Sequence, residues 1–503
     1  MKKRYAGHPT ATVYDRVEVG SKGEKGKDAI ECLLWGDLFE LLEEPVEDSD
    51  FAKVKVRTGE GSKRVEGWMH REDILEDPLL EVTFIDIGQG DGCVVFMPDE
   101  ERTCLVIDAG EQDNMSRYLK WRLMYPSAKR PVELHAAIVT HPDSDHYRGF
   151  SKVFDLPGVS FETLFHNGLV ERKGDDELGP LAAGEPKVFT DLVKTERRLK
   201  TVLAADAKRK GRKVYPDMLR KALEKNAFTK FRMLSAADEF MPGFGPDDDV
   251  TMQVLGPIVE TNDEGKTGLR RLGNHGITKN GHSVVLRLTF GRLRVLLGGD
   301  LNIPSEELLL EKIVGRALPA SKLQRAKFIA DARKQIEVDV AKSCHHGSAD
   351  FSSLFLEAVN PIATVISSGD AEKHSHPRAE TLGAIGASSR GERPLIYSTE
   401  LARSVKEKVR DPRKERAELK ALHKQIVAET DKKKCATLQT KFNKLVDSTI
   451  ERTVQTYGAI YLRSDGERAV IGHRYESNSP SKMWDLCELA PDANGRLQFT
   501  TKH

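Results

Sequence analysis

Cysteine is scarce and scattered. Its six copies (Cys32, Cys93, Cys104, Cys344, Cys435 and Cys487) form no CxxC pair and no disulfide-framework spacing, so they read as small buried apolar residues of a reducing cytoplasm. Long apolar runs are missing too. None approaches the roughly 18–20 residues that cross a bilayer, and the opening Met1 to His8 leads into no apolar stretch of signal-peptide length. Membrane insertion is therefore not expected. Net charge is absent, with 78 Lys+Arg against 78 Asp+Glu, so global charge points to no polyanionic partner. Aromatic residues make up only 7%; with 39% hydrophobic and 31% charged residues, this is a surface-rich globular composition. At 503 residues the chain exceeds one ordinary core, and two or three domains are expected.

What is present is concentrated at residues 140–149. A short apolar run, Ala136 to Val139, reads as a buried strand, and His141, Asp143, Asp145 and His146 follow it within six positions. Alternate side chains of an extended turn share a direction, so His141, Asp143 and Asp145 can converge on one point. His146 then faces a second point across Asp145. Two neighbouring cation sites sharing a carboxylate are the simplest use of such a cluster; the alternative is a solvated polar loop.

Before it, residues 1–78 read as a small all-β unit of short strands between Gly, Asp and charged turns, closing at Val65 to Met69 with Gly67-Trp68. This pattern resembles an SH3-like module, which implies either a partner-binding barrel or a packing domain. The acidic loop Glu43 to Asp50 argues against a nucleic-acid grip there. A new domain begins near Leu80 and enters a glycine-rich turn, Asp86 to Asp91. A further strand ends at Asp108-Ala109-Gly110.

Asp86 to Asp91, Leu105 to Gly110 and His141 to His146 together resemble the metallo-β-lactamase superfamily, nearest to the soluble hydrolase domain of ComEC-type competence proteins. Later stretches agree in order: Asn280 to Ser283, Leu296 to Asp300, His345 to Ser348, and His376-Pro377. The resemblance covers roughly residues 79–400 and resumes near Tyr457 to Leu462. It implies an α/β fold, an αββα sandwich, behind the small β-barrel. It also implies two divalent ions, zinc or manganese, held by His141, Asp143, Asp145, His146, His282, Asp300 and His345. Asp300 resembles the bridging carboxylate. His345 is chosen over His346 as ligand, with the two roles open to exchange. Asp145, His346 and His376 are then the catalytic candidates, and Ser348 and Asn280 contact substrate. Asp86 and Asp108 are expected to orient neighbours, and His166 to be either a cleft residue or a satisfied core histidine.

Two insertions complete the plan. Residues 196–235 are strongly basic on helix-prone sequence, and Lys208, Arg209, Lys210, Arg212 and Lys213 are expected to meet phosphate groups. Residues 401–454 carry apolar positions three and four apart, a helical hairpin broken near Thr430-Asp431. Its stripe packs on its own body or forms a homodimer seam. Residues 455–503 are expected to hold a closing strand and a tail. The leading reading is a two-metal phosphodiesterase acting on nucleic acid. Its alternatives are a hydrolase of a small phosphodiester, lactone or thioester, and an effector subunit of a bacterial defence assembly that binds protein partners.

Overall fold

The computed structural model describes every residue except 1, 21–22, 44–48, 60–62, 370–373, 405–406, 410–411 and 478; most of the acidic loop at 43–50 thus lies outside the described residues. Two sheets face each other. The larger has ten strands. Its inner six, from one side to the other, are Val159–His166, Val132–Val139, Cys104–Ile107, Cys93–Phe96, Leu80–Phe84 and Ile460–Ser464. The smaller has six: Val250–Gly256, Val285–Phe290, Leu293–Leu297, Val340–Lys342, Ala363–Ile366 and Leu395–Ser398.

Strand alternation explains the layering. Cys93 and Val95 point into the space between sheets with Leu80, Val82 and Phe84, where they meet Leu286, Leu288, Val295 and Val340 of the other sheet. Val94 and Phe96 point the opposite way, onto Met115, Tyr118 and Leu119 of the helix Asn114–Arg122. On the far side, Val285, Leu296 and Ala341 are covered by Leu309, Leu310, Phe328 and Phe355 from three further helices. Period-two strands with both faces apolar need a layer on each side. The result is the αββα sandwich expected from the sequence.

Residues 2–75 form a separate seven-stranded antiparallel sheet around Val13, Phe39, Val54, Val56 and Met69. The hairpin is present as helices Pro412–Ala428 and Lys432–Thr449, packed on each other with the rings of His423 and Phe442 6.4 Å apart. Its apolar positions Leu419, Leu422, Ile426 and Leu438 are half-buried.

The end of the chain is a correction. Beyond Ile460–Ser464, residues expected as a tail form three more strands, Ala469–Arg474, Trp484–Pro491 and Leu497–Lys502, that widen the large sheet by antiparallel pairing. Asn, Ser, Pro and Gly in this stretch mark the turns between the strands rather than an unstructured end.

At the core of the large sheet, Glu81 is fully buried and meets three guanidinium groups. Arg122 Nη2 lies 3.0 and 2.9 Å from its two oxygens, Arg463 Nη2 lies 3.0 Å from Oε2, and Arg102 closes the third side. Burial alone pushes this carboxyl up, but Arg122, Arg463 and Arg102 override it and hold Glu81 well below the usual carboxylate range.

Candidate metal centre

The candidate site lies where strands of both sheets end. From the large sheet, the strand ending at Ile107 delivers Asp108, and the strand ending at Val139 delivers Thr140 and His141. Backbone after Asp143 turns helical over Ser144–Tyr147, which presents Asp145 and His146. From the small sheet, the strand ending at Leu297 leads through Gly298-Gly299 to Asp300, and the strand Val340–Lys342 leads to His345-His346. Gly90, at φ +104°, lets the first glycine-rich turn press against the Asp145 backbone, where any Cβ would collide with its carbonyl. That approach carries Asp91 into the site, its N–H donating to Asp145 O at 3.2 Å.

His141, His146, Asp91, Asp108, Asp300 and His346 are all buried. Asp300 Oδ2 stands 3.1 Å from His146 Nε2 and 3.2 Å from His346 Nε2. Asp145 Oδ2 lies 3.5 Å from His346 Nε2, and Asp91 Oδ1 lies 3.1 Å from His346 Nδ1. Two overlapping ligand sets result, one of His141, His146 and Asp300, the other of Asp91, Asp300 and His346, with Asp145 beside His146 and His346. Asp300 belongs to both sets.

These residues suit divalent cations on three grounds. The Nε2 atoms of His141, His146 and His346 and Asp300 Oδ1 are buried without a hydrogen bond among the described residues. Imidazole and carboxylate together are ordinary ligands for zinc and manganese. The third ground is charge. Asp91, Asp108, Asp145 and Asp300 crowd one buried space with Lys342 as the lysine among them, its Nζ against Asp91 and 3.6 Å from Asp300 Oδ1. Burial works against charged imidazole, yet Asp300 with Asp108 raises His146, and Asp300 with Asp91 raises His346, each well above the ordinary value. Burial and the neighbouring His146 push His141 well below it. The cluster calls for positive charge.

Asp108 is the orienting carboxylate expected from the sequence. It accepts from Thr140 N (2.9 Å) and Thr140 Oγ1 (2.7 Å) and pairs with His146 Nδ1 at 2.8 Å, leaving Nε2 to face Asp300. Replacing such a partner typically costs 10–100-fold in metal affinity. Asp108→Asn is therefore expected to weaken zinc binding by about that factor with the fold retained, as competition with a chromophoric chelator would read. Asp86 likewise braces loops, accepting from Gly88 N (3.2 Å) and Arg403 Nη2 (2.9 Å).

Four expected placements differ. Asp143, in extended backbone just ahead of the helix at Ser144, lies 3.9 Å (Oδ2) from His141 Nε2, but the helix turns Asp145 elsewhere and Asp143 joins no ligand group among the described residues. It is gripped instead by Lys279, which also pairs with Glu171 at 2.9 Å. His282 ends the helix His275–Gly281, and its Nε2 donates to Arg270 O at 2.7 Å; among the described residues it joins no ligand group. His345 and His346 exchange the places expected of them. Both sit in left-handed backbone (φ 49° and 54°) ahead of Gly347 at φ +79°, and this turns His346 inward to Asp300. His345 is left half-buried, 3.3 Å from the Asn280 amide and 5.7 Å, ring to ring, from His376. Asn280 can also turn its nitrogen to Asp143 Oδ2 at 2.8 Å. Ser348 Oγ accepts from Asp350 N at 3.2 Å, which gives it a role in its own loop.

Asp91 and Lys342 were missed as members of the cluster. For Lys342 the signal was a lysine in an otherwise apolar strand, and for Asp91 its place at the end of the Gly88-Gln89-Gly90 turn.

His166 is a core histidine. Its Nε2 donates to Val193 O at 2.7 Å, and burial pushes it down to about 4. An unfolded histidine takes up its proton near 6.5, whereas His166 stays neutral in the fold. Stability from this residue is complete above that value and is lost as pH falls toward 4, by about 1.4 kcal/mol per unit. Urea unfolding at pH 7 and pH 5 is expected to show a smaller drop for His166→Gln than for the wild type.

The basic helices Glu196–Ala207 and Val214–Glu224 are extensively ion-paired. Arg198 meets Asp191, Arg209 meets Asp176, Arg220 meets Asp206, and Lys221 and Lys225 share Asp155. Lys208, Arg209, Lys210 and Arg212 form an exposed turn. Lys213 pairs with Glu177 at 2.6 Å, beside the Glu171–Lys279–Asp143 chain at the rim of the site. No helix among the described residues is long and apolar enough to cross a membrane.

No family model matches the chain, and no curated protein sequence is similar to it. Solved structures with some likeness include zinc-bound PqqB from Methylobacterium extorquens, at 9% identity, covering 63% of this chain and 97% of its own, with a TM-score of 0.29. The metallo-β-lactamase SMB-1 bound to 2-mercaptoethanesulfonate is similar at 12% identity over 52% of this chain and 76% of its own, TM-score 0.22. MEM-A1, a subclass B3 metallo-β-lactamase from a soil metagenome library, is similar at 13% identity with the same coverages, TM-score 0.23. Likenesses this distant assign no role to any residue.

Proposed function

We propose that the chain is a metal-dependent phosphodiesterase with two adjacent cation positions. One observation carries the reading: Asp300 Oδ2 lies between His146 Nε2 and His346 Nε2, inside a buried cluster with excess negative charge. His141, His146 and Asp300 would hold one ion, and Asp300, His346 and Asp145 or Asp91 would hold the other. Divalent ions there supply Lewis-acid charge and acidify water. Asp145, the least buried carboxylate of the group, orients the attacking water, and burial of His141 and His146 keeps bulk solvent away from it. Asp108 and Lys342 fix the orientation of His146 and Asp300. His376, half-buried beside His345, gives a proton to the leaving oxygen.

Nucleic acid is the proposed substrate, with the exposed turn Lys208 to Lys213 at the rim of the site as its phosphate contact. A small phosphodiester is the second reading, favoured by the ion pairs that occupy much of the basic surface. The N-terminal β unit, SH3-like in pattern, and the hairpin are proposed to recruit protein partners. Chelator-stripped protein given zinc, manganese or magnesium, with His141→Ala as control, separates the two substrate readings. Metal-dependent cleavage of single- or double-stranded DNA or RNA that weakens steeply with salt supports the nuclease. Turnover of bis-p-nitrophenyl phosphate alone supports the small substrate. Inactivity on both with every ion overturns the phosphodiesterase.

A further inference from the structure

Between the N-terminal β unit and the sandwich lies a cavity of about 70 Å³, several times the roughly 10–15 Å³ that one water needs. Its walls share no residue with the candidate metal centre. Four guanidinium groups line it: Arg57 from the β unit, Arg122 from the helix Asn114–Arg122, and Arg463 and Arg474 from adjacent strands of the large sheet. Trp121 and Trp484 stand beside them.

The carboxylates in reach do not balance this charge. Glu81 is shared by Arg122, Arg463 and, outside the wall, Arg102. Glu31 takes Arg474 at 2.7 Å, and Asp37 lies 3.7 Å from Arg463. Arg57 has no carboxylate partner among the described residues; it donates to the Trp121 carbonyl and stacks 4.2 Å over that ring. Five guanidinium groups thus meet three carboxylates in a largely buried space. Burial, with the like charge of Arg122, pulls Arg57 down to about 10. Three buried atoms of the wall, Thr456 Oγ1 and the Nε atoms of Arg463 and Arg474, have no hydrogen bond among the described residues. Excess cation in low dielectric is unfavourable unless a counter-charge joins it, and planar guanidinium forks suit tetrahedral oxyanions.

We propose that this cavity binds a phosphate-class oxyanion, free or as the terminal phosphate of a nucleotide, and that the bound anion ties the β unit to the sandwich. Two negative charges offset the excess, and Thr456 supplies a hydroxyl donor. The inference is independent of the phosphodiesterase reading.

The test uses the full chain, chelator-treated so that metal-site binding does not contribute. Sodium phosphate is titrated at constant ionic strength by calorimetry and by the fluorescence of the tryptophans, two of which line the cavity. Saturable 1:1 binding with a Kd below about 1 mM is expected, together with a raised unfolding temperature. Arg57→Gln is expected to weaken binding by tenfold or more while zinc uptake by the same protein in a separate titration stays unchanged. Arg57→Lys, which keeps the charge and loses the fork, is the second variant should the first misfold, and a smaller loss is expected of it. ATP binding tenfold tighter than phosphate identifies a nucleotide as the source; equal or weaker binding identifies the free anion. Absence of saturable phosphate binding, or undiminished binding in both Arg57 variants, overturns the proposal.

Discussion

Replacing Asp300 by asparagine is expected to reduce hydrolysis by roughly 10³-fold or more, about 4 kcal/mol of barrier, and to lower metal content in the same sample. Asp300 touches both ligand sets, so its loss removes the shared carboxylate rather than one ligand of one ion. The amide keeps the volume, and the bond that the backbone N–H of residue 300 donates to Ser283 Oγ at 3.0 Å does not depend on the side chain. Far-ultraviolet circular dichroism should therefore match the wild type. Activity within tenfold of wild type, with full metal content, would sink the bridging role. Asp145→Asn offers the contrast: it lies in one set, at the more open side, and is expected to lose turnover with a smaller loss of metal.

The second large effect is on stability. Glu81→Gln leaves Arg102, Arg122 and Arg463 around a neutral amide in a fully buried space. Breaking a buried ionic network by removing one partner costs about 3–5 kcal/mol, because the charges that remain are uncompensated. Urea unfolding of the sandwich should register that loss at pH 7. Since Glu81 stays ionised far below its usual range, the same denaturation on wild-type protein should show no contribution from this group between pH 7 and pH 5. A change below about 1 kcal/mol in the variant would mean that the guanidinium groups find other counter-charges.

Much of the sandwich could be read in advance, because strands with two apolar faces and charged or glycine-rich exits leave a local trace. His141, His146 and Asp300 stand at such exits, and the structure brings them together. The misplacements have physical causes that no spacing reveals. Alternation does carry Asp143 to within 3.9 Å of His141, but Lys279 takes its other oxygen, and the helix at Ser144 ends the alternation before Asp145. Adjacent His345 and His346 differ in direction because both take left-handed backbone, an arrangement that only the packed loop imposes. His282 has the sequence neighbourhood of a ligand, yet the carbonyl of Arg270 captures its ring. The partners of the basic stretch lie outside it: Asp191 stands seven residues before Arg198, while Asp176 and Asp155 reach Arg209 and Lys221 through tertiary contacts.

The strand Ile460–Ser464 has a consequence for how the chain acquires its shape. It pairs with Leu80–Phe84 in the middle of the large sheet, bringing Arg463 to Thr83 across 380 residues of sequence. At ribosomal speeds of about 5–20 residues per second, Leu80–Phe84 waits on the order of 20–80 s for its neighbour. Through that interval the nascent sheet has an open apolar edge, and Glu81 lacks the guanidinium of Arg463. Such an edge is a template for pairing with another chain, and closing so distant a contact is slow. Nascent chains halted before residue 460 should therefore aggregate or engage chaperones, as pull-down of stalled chains would read.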